Sequence, residues 1–155
     1  MRNGQALLVA ALVVCADQLS KYLFSLADRG FSLPLWEGVV HLTVVYNFGA
    51  GFGILQGQRL FFILFSFAVL AWIFLLWKKH PQGIFQIPLG LLLGGIIGNL
   101  IDRIFRGYVI DFIDFQIWPV FNLADSSITI AVIWIIIIDL VENSQKKNKR
   151  KSATG

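Results

Sequence analysis

The stretch Leu60–Trp77, LFFILFSFAVLAWIFLLW, holds no charged residue and no helix breaker. A helix that crosses a bilayer needs about 20 mostly apolar residues, because hydrocarbon offers no partner for an unpaired backbone group. Three further runs approach this standard with polar interruptions: Ala6–Ala27, Ile84–Ile101 and Leu123–Val141. Composition agrees. The 155-residue chain is 57% hydrophobic and 14% charged, where soluble domains carry roughly a quarter charged residues. The prediction is an all-α membrane protein, a single domain over 1–155 with four transmembrane helices at 6–27, 60–77, 84–101 and 123–141. The first run lacks the short apolar core and cleavage site of a signal peptide, so it reads as a retained helix.

Charge orients the spans. Lys78 and Lys79 follow the second, the basic tail Lys146–Lys151 follows the fourth, and Arg2 precedes the first. By the positive-inside rule both termini and the loop near 78–83 are cytoplasmic. The segments near 28–57 and 105–122 then lie outside, although Arg29, Arg103 and Arg106 count against this. The net charge of +4 is concentrated in the tail. That pattern suits membrane lipid and excludes nucleic acid as a partner. The outer segments have their own pattern. Val39–Asn47 is rich in β-branched residues and is followed by the turn-forming GAGFG at 49–53, and Tyr108–Trp118 reads as extended. They predict a small extracytoplasmic β platform.

On this topology the intramembrane polar residues converge. Asp17, Gln18 and Lys21 fall on the outer half of the first helix, and Asn99, Asp102 and Arg103 at the outer end of the third. Asn122 and Asp125 open the fourth. Charged groups at membrane depth are costly, and such a gathering predicts a site. Asp17 and Lys21 share a helix face at a spacing of four, and Gly90, Gly94 and Gly98 form a stripe that admits a close neighbour. Plainer readings stand beside these. Asp17–Lys21 suits a neutralising ion pair, Asn122 with Asp125 a helix cap, and Asp102–Arg103 a solvated interfacial pair.

The remaining polar residues carry less. Cys15 reads as a small core residue, and a lone cysteine permits neither an internal disulfide nor a cysteine-built zinc site. His41 and His80 stand in different loops, so no metal is expected. Asp139 and Glu142 should pair with the lysine tail, while Asp28, Glu37 and Arg59 read as loop surface. The tryptophans read mostly as belt or lipid-facing residues.

Five short motifs fall in order along this plan. They are Asp17-Gln18-x-Ser20-Lys21, Asn47-x-Gly49-Ala50-x-Phe52, Gly98-Asn99-x-x-Asp102-Arg103, Val109-x-Asp111-Phe112 and Phe121-Asn122-x-Ala124-Asp125. Together they make the chain resemble the bacterial lipoprotein signal peptidases (signal peptidase II), a family of aspartic peptidases. Gly51 departs from the alanine of many relatives. Asp114 matches no motif, and in an extended segment it faces away from Asp111.

The resemblance implies a catalytic pair, Asp111 and Asp125. Asp17, Lys21, Asn47, Gly98, Asn99, Arg103 and Asn122 would support the site or bind substrate. It also implies the substrate, a diacylglyceryl-modified prolipoprotein cut just before its lipidated cysteine. The location would be the bacterial plasma (inner) membrane, with the site toward the outer leaflet. No metal or cofactor is implied, and globomycin-type inhibitors are expected.

The chemistry of such a pair is general. Two neighbouring carboxylates share one proton, so one member can take a proton from water while the other donates to the scissile carbonyl. Asp125, in a first helical turn, is the expected base because the helix dipole favours its charge. Three alternatives stay open: an ion- or proton-coupled transporter, an assembly subunit glued by polar contacts, and a Ser-Lys peptidase joining Ser126 or Ser127 to Lys21. The first is opposed by the lack of polar residues in the cytoplasmic half and of repeat symmetry.

Overall fold

The computed structural model describes residues 4–28, 30–50, 54–79 and 83–152, and their side chains, that of Lys79 apart, as far as Gln145. Arg2, Arg29, Gly51, Phe52, His80 and the side chains of the basic tail lie outside the described residues. The elements in chain order are α1 (Gly4–Ser25), β1 (Ser32–Trp36), β2 (Val40–Asn47), α2 (Arg59–Lys79), α3 (Gln86–Phe105), β3 (Val109–Asp114) and α4 (Leu123–Ser152).

Among the described residues four helices are long and apolar enough to cross a membrane. Leu8, Leu12, Leu19 and Leu23 of α1 are exposed, as are Phe65, Trp72 and Leu75 of α2. An outward face so apolar suits lipid rather than water. The expected spans shift at their ends. α3 starts at Gln86 rather than 84, after a turn in which Gly83 takes φ 96°. Its Pro88 then falls in the first turn, where its missing N–H leaves no intrahelical bond unmade. α4 passes the expected end at 141 and continues to Ser152, since Glu, Gln and Lys are good helix formers outside lipid. Cys15 is exposed on α1, which corrects its reading as a core residue. In a bilayer the outside of a helix is as apolar as the inside, so a small apolar residue carries no burial signal.

α3 is the axle of the bundle. A Cβ on Gly90 would lie 2.6 Å from the Ala6 carbonyl oxygen, and one on Gly94 2.8 Å from that of Ala10. α1 therefore runs parallel to α3 in backbone contact. On another face a Cβ on Gly95 would lie 2.5 Å from the Ala124 carbonyl oxygen, so α4 is as close and runs the opposite way. Ile73 of α2, Leu89, Leu92 and Ile96 of α3, and Ala131 of α4 form the apolar core.

The strands form one antiparallel sheet in the order β1-β2-β3. Val45 faces Asp111 and Asn47 faces Val109 in register. Phe112 stacks on Phe24 with ring centroids 4.3 Å apart, docking the sheet on the end of α1. β1 is a strand that the sequence reading lacks, and it carries Pro34. Proline is tolerated there because β1 is an edge. β3 ends at Asp114 and not at Trp118. Asp114 Oδ1 accepts the Gln116 N–H at 2.8 Å, and Gln116 adopts φ 59°. The chain doubles back, and Phe121 and Ile113 exchange backbone hydrogen bonds of 3.0 and 2.8 Å. This reversal brings the start of α4 beside Asp111.

Candidate active site

Asp111 lies on β3 and is 2% exposed. Asn47, the last residue of β2, donates from Nδ2 to Asp111 Oδ2 at 2.9 Å. Its own Oδ1 accepts the Gly49 N–H at 2.9 Å, which fixes the amide's orientation. Asn122 donates from Nδ2 to Asp111 Oδ1 at 2.6 Å. Both carboxyl oxygens thus face amide donors.

Asp125 stands in the first turn of α4. Its N–H donates to Asn122 Oδ1 at 2.9 Å, while its Oδ2 accepts the Asn122 N–H at a longer 3.4 Å. This is a reciprocal helix cap. Asn99 Nδ2 donates to Asp125 Oδ1 at 2.7 Å. Asn122 thus caps α4 and touches both aspartates.

Beneath this pair lies a buried ionic cluster. Lys21 reaches Asp17 Oδ2 at 2.9 Å and Asp102 Oδ2 at 2.8 Å, and all three side chains are fully buried. Lys21 also donates to Asn99 Oδ1 at 2.8 Å. Asp17 Oδ1 accepts the Ala124 N–H at 2.9 Å, tying α1 to the head of α4. Arg106 pairs with Asp102 and donates to Gln18 Oε1 at 3.0 Å. Gln18 in turn donates to the Gly98 carbonyl at 3.1 Å and to Asp102 at 3.2 Å.

Buried charges persist only when paired and hydrogen-bonded. The solvated Asp102–Arg103 pair is therefore corrected: Asp102 is buried, with Lys21 and Arg106 as its partners. Arg103 turns elsewhere, lying 4.8 Å over the Phe62 ring and donating to the Gly49 carbonyl at 3.3 Å.

Every residue expected at the site meets another there. Asp114 does not join them. It accepts from Thr43 at 3.2 Å and from Gln116, on the other face of the strand. Ser126 and Ser127 donate to the carbonyls of Asn122 and Leu123, each at 2.9 Å, so the described contacts of Lys21 include neither serine. Sequence reasoning left Asp102 and Gln18 without roles and counted Arg106 only as an outer cation. The spacing of Asp102 and Arg106, four apart, was the available signal. Arg59 is exposed but not idle, donating to the carbonyls of Arg103 and Ile104 at 2.6 and 2.8 Å. Asp139 accepts from Asn143 at 3.0 Å, and its expected lysine partners lie outside the described side chains.

The electrostatics of Asp111 follow from its surroundings. Burial raises its carboxyl from the ordinary value to about 7, and the charge of Asp125 adds to this. The bonds from Asn47 and Asn122 and the charge of Lys21 work in the opposite sense.

Three cavities meet at Asp125. One of about 290 Å³ lies between the sheet and the aspartates, lined by Asn47, Asn99, Arg103, Asp111 and Trp118. A second of about 370 Å³ runs between α2, α3 and α4, lined by Phe62, Phe65, Val69, Trp72, Ile128 and Val132. A third of about 430 Å³ lies along another side of α4, under Phe115, Trp118 and Phe121. The first brings polar and apolar groups together, and the other two are largely apolar flanks.

The family described as Signal peptidase (SPase) II matches residues 9–141. A lipoprotein signal peptidase of Halothermothrix orenii is 43% identical over 132 residues, covering 84% of this chain and 91% of that one. One of Brevibacillus brevis is 42% identical over 146 residues, covering 90% and 96%. Among solved structures, a bacterial membrane enzyme determined by the in meso method at 2.3 Å superposes with a TM-score of 0.86 at 39% identity, covering 92% of each chain. A second, at 1.9 Å, gives a TM-score of 0.80 at 39% identity.

Proposed function

The chain belongs to the signal peptidase II family of membrane aspartic peptidases, and from that premise we propose that Asp111 and Asp125 are its catalytic dyad. The observation that carries the reading is the bridge through Asn122, which bonds both aspartates where the three cavities meet. The substrate is a prolipoprotein whose cysteine carries diacylglycerol, cut just before that cysteine. The apolar cavities suit a substrate with two apolar arms, a signal helix and acyl chains. Globomycin-type lipopeptides would compete for the same space. The ion-coupled transporter has no counterpart among the relatives described.

The reaction needs one shared proton. Asp125, which accepts from Asn99 at 2.7 Å, takes a proton from water, and the resulting hydroxide adds to the scissile carbonyl carbon. Asp111, whose carboxyl is raised to about 7, donates its proton to the carbonyl oxygen. The tetrahedral diol then collapses as the nitrogen is protonated by Asp125 and the C–N bond breaks, with Asp111 recovering a proton from the diol. Two products and the starting dyad remain. Lys78, Lys79 and the basic tail lie at the bundle end away from the sheet. That supports cytoplasmic termini and a site facing the outer leaflet of the bacterial plasma membrane.

Cleavage of a synthetic lipidated precursor by the purified protein tests the dyad. Asp111→Asn and Asp125→Asn should each lose ~10²–10⁴ or more in rate while remaining folded. Asp114→Asn should stay near normal. A freely active Asp111→Asn would remove the dyad.

A further inference from the structure

The reaction above makes no use of Lys21, although it is fully buried one residue away from the dyad. A charged ammonium has three N–H groups and no lone pair. Asp17, Asp102 and Asn99 take those donors at 2.9, 2.8 and 2.8 Å, so nothing remains for substrate. We propose that Lys21 is a positioning residue: through Asn99 it fixes which end of an amide faces Asp125, and so keeps a hydrogen-bond donor on that carboxylate throughout the reaction. The inference rests on the assignment of Asp111 and Asp125 as that dyad.

Asn99 has one acceptor oxygen and one amino group. Its Oδ1 accepts from Lys21 and from Asn122 Nδ2, the latter at 3.2 Å. Its Nδ2 donates to Asp125 Oδ1 at 2.7 Å. Turning the amide over would set its amino group against two donors and its oxygen against a carboxylate. Lys21 thereby locks a donor onto Asp125, as Asn47 and Asn122 present donors to Asp111, and a carboxylate that loses such a donor is easier to protonate.

The charges around the site balance. α1 contributes Asp17 and Lys21, α3 and its end contribute Asp102, Arg103 and Arg106, and Asp111 and Asp125 come from β3 and α4. Asp17 and Asp102 offset Lys21 and Arg106. Arg103 then stands against the dyad, and one proton on the dyad leaves the whole group neutral.

The test is kcat and KM for a lipidated precursor measured across neutral pH, for the wild-type protein, Lys21→Met and Asn99→Ser. Removing the cation eases protonation of the carboxylates. The acid limb of kcat should therefore move to higher pH by about one unit in Lys21→Met, with KM changed little. Asn99→Ser, which keeps the Lys21 ion pairs, should move the same limb the same way. A purely structural role would scale the profile with the folded fraction and leave the limb in place, which would overturn the proposal. If Lys21→Met does not fold, Asn99→Ser decides alone, and an unshifted limb there sinks the idea. Asp111→Asn in the same assay separates the two readings. Activity retained there removes the dyad, whereas a dead Asp111→Asn beside unshifted limbs removes only the role of Lys21.

Discussion

Gly98 and Asp17 leave no room between them: a Cβ on Gly98 would lie 2.6 Å from Asp17 Oδ2 and 3.1 Å from its Cγ. That carboxylate cannot yield, since Lys21 and the Ala124 N–H hold its two oxygens. The absent side chain is what lets α1 and α3 bury a charge between them.

Gly98→Ala should therefore cost ~1–3 kcal/mol by overpacking and lower turnover with it, since Asp17 braces the head of α4. Gly4→Ala, with nothing within 4 Å of its Cβ, serves as the control. Thermal unfolding and precursor cleavage measured on both variants check this. Equal behaviour would mean that α1 and α3 separate easily.

Asn122→Ala removes a cap, worth about 1 kcal/mol, and the 2.6 Å donor to Asp111. Misplaced catalytic groups cost on the order of a hundredfold. Turnover per folded molecule should fall that far while the unfolding temperature drops only modestly. A loss of activity that merely tracks unfolding would demote Asn122 to a cap.

The pH dependence of stability has a definite sign at Asp111. Its folded carboxyl titrates at about 7, above the ordinary 3.8, so between these values the folded state binds more protons than the unfolded one. Stability from this group is full below the unfolded value and is lost as pH rises through about 7. Asp111→Asn cannot ionise, and should be more stable than wild type above neutrality, by about 2–4 °C for each kcal/mol recovered. Unfolding temperatures of both proteins from mildly acidic to mildly alkaline pH test the sign. A wild-type curve that climbs relative to the variant with pH would refute it.

Arg59→Ala should lower the unfolding temperature by releasing the Arg103 and Ile104 carbonyls at the C-terminal end of α3. Two hydrogen bonds with a charged donor at a helix end give roughly 1–3 kcal/mol. The dyad is untouched, so cleavage well below the transition should persist. Total loss of cleavage in folded protein would give Arg59 a part in the reaction.

Much of this architecture could be read from the chain because its cues are local. The spans follow from apolar length, and Asn122 with Asp125 from the geometry of one helical turn. Asp114 facing away from Asp111 follows from strand alternation. What could not be read depends on partners distant in sequence. Asp102 is buried because Lys21 approaches from α1, and its spacing of four from Arg106 announces a partner but not the burial. β1 escaped because an exposed edge strand with a proline carries no alternating pattern. The reversal at Gln116 rests on a side-chain bond from Asp114, which looks in sequence like one more strand residue.

The cavity bounded by α2, α3 and α4 reaches Asp125 through largely apolar walls. A reactant arriving by that route never leaves the bilayer, so encounter happens in two dimensions. The quantity that governs turnover is then the number of precursor molecules per unit of membrane area. Spreading fixed amounts of enzyme and precursor through more inert lipid would slow cleavage, while changing the volume of surrounding water would not.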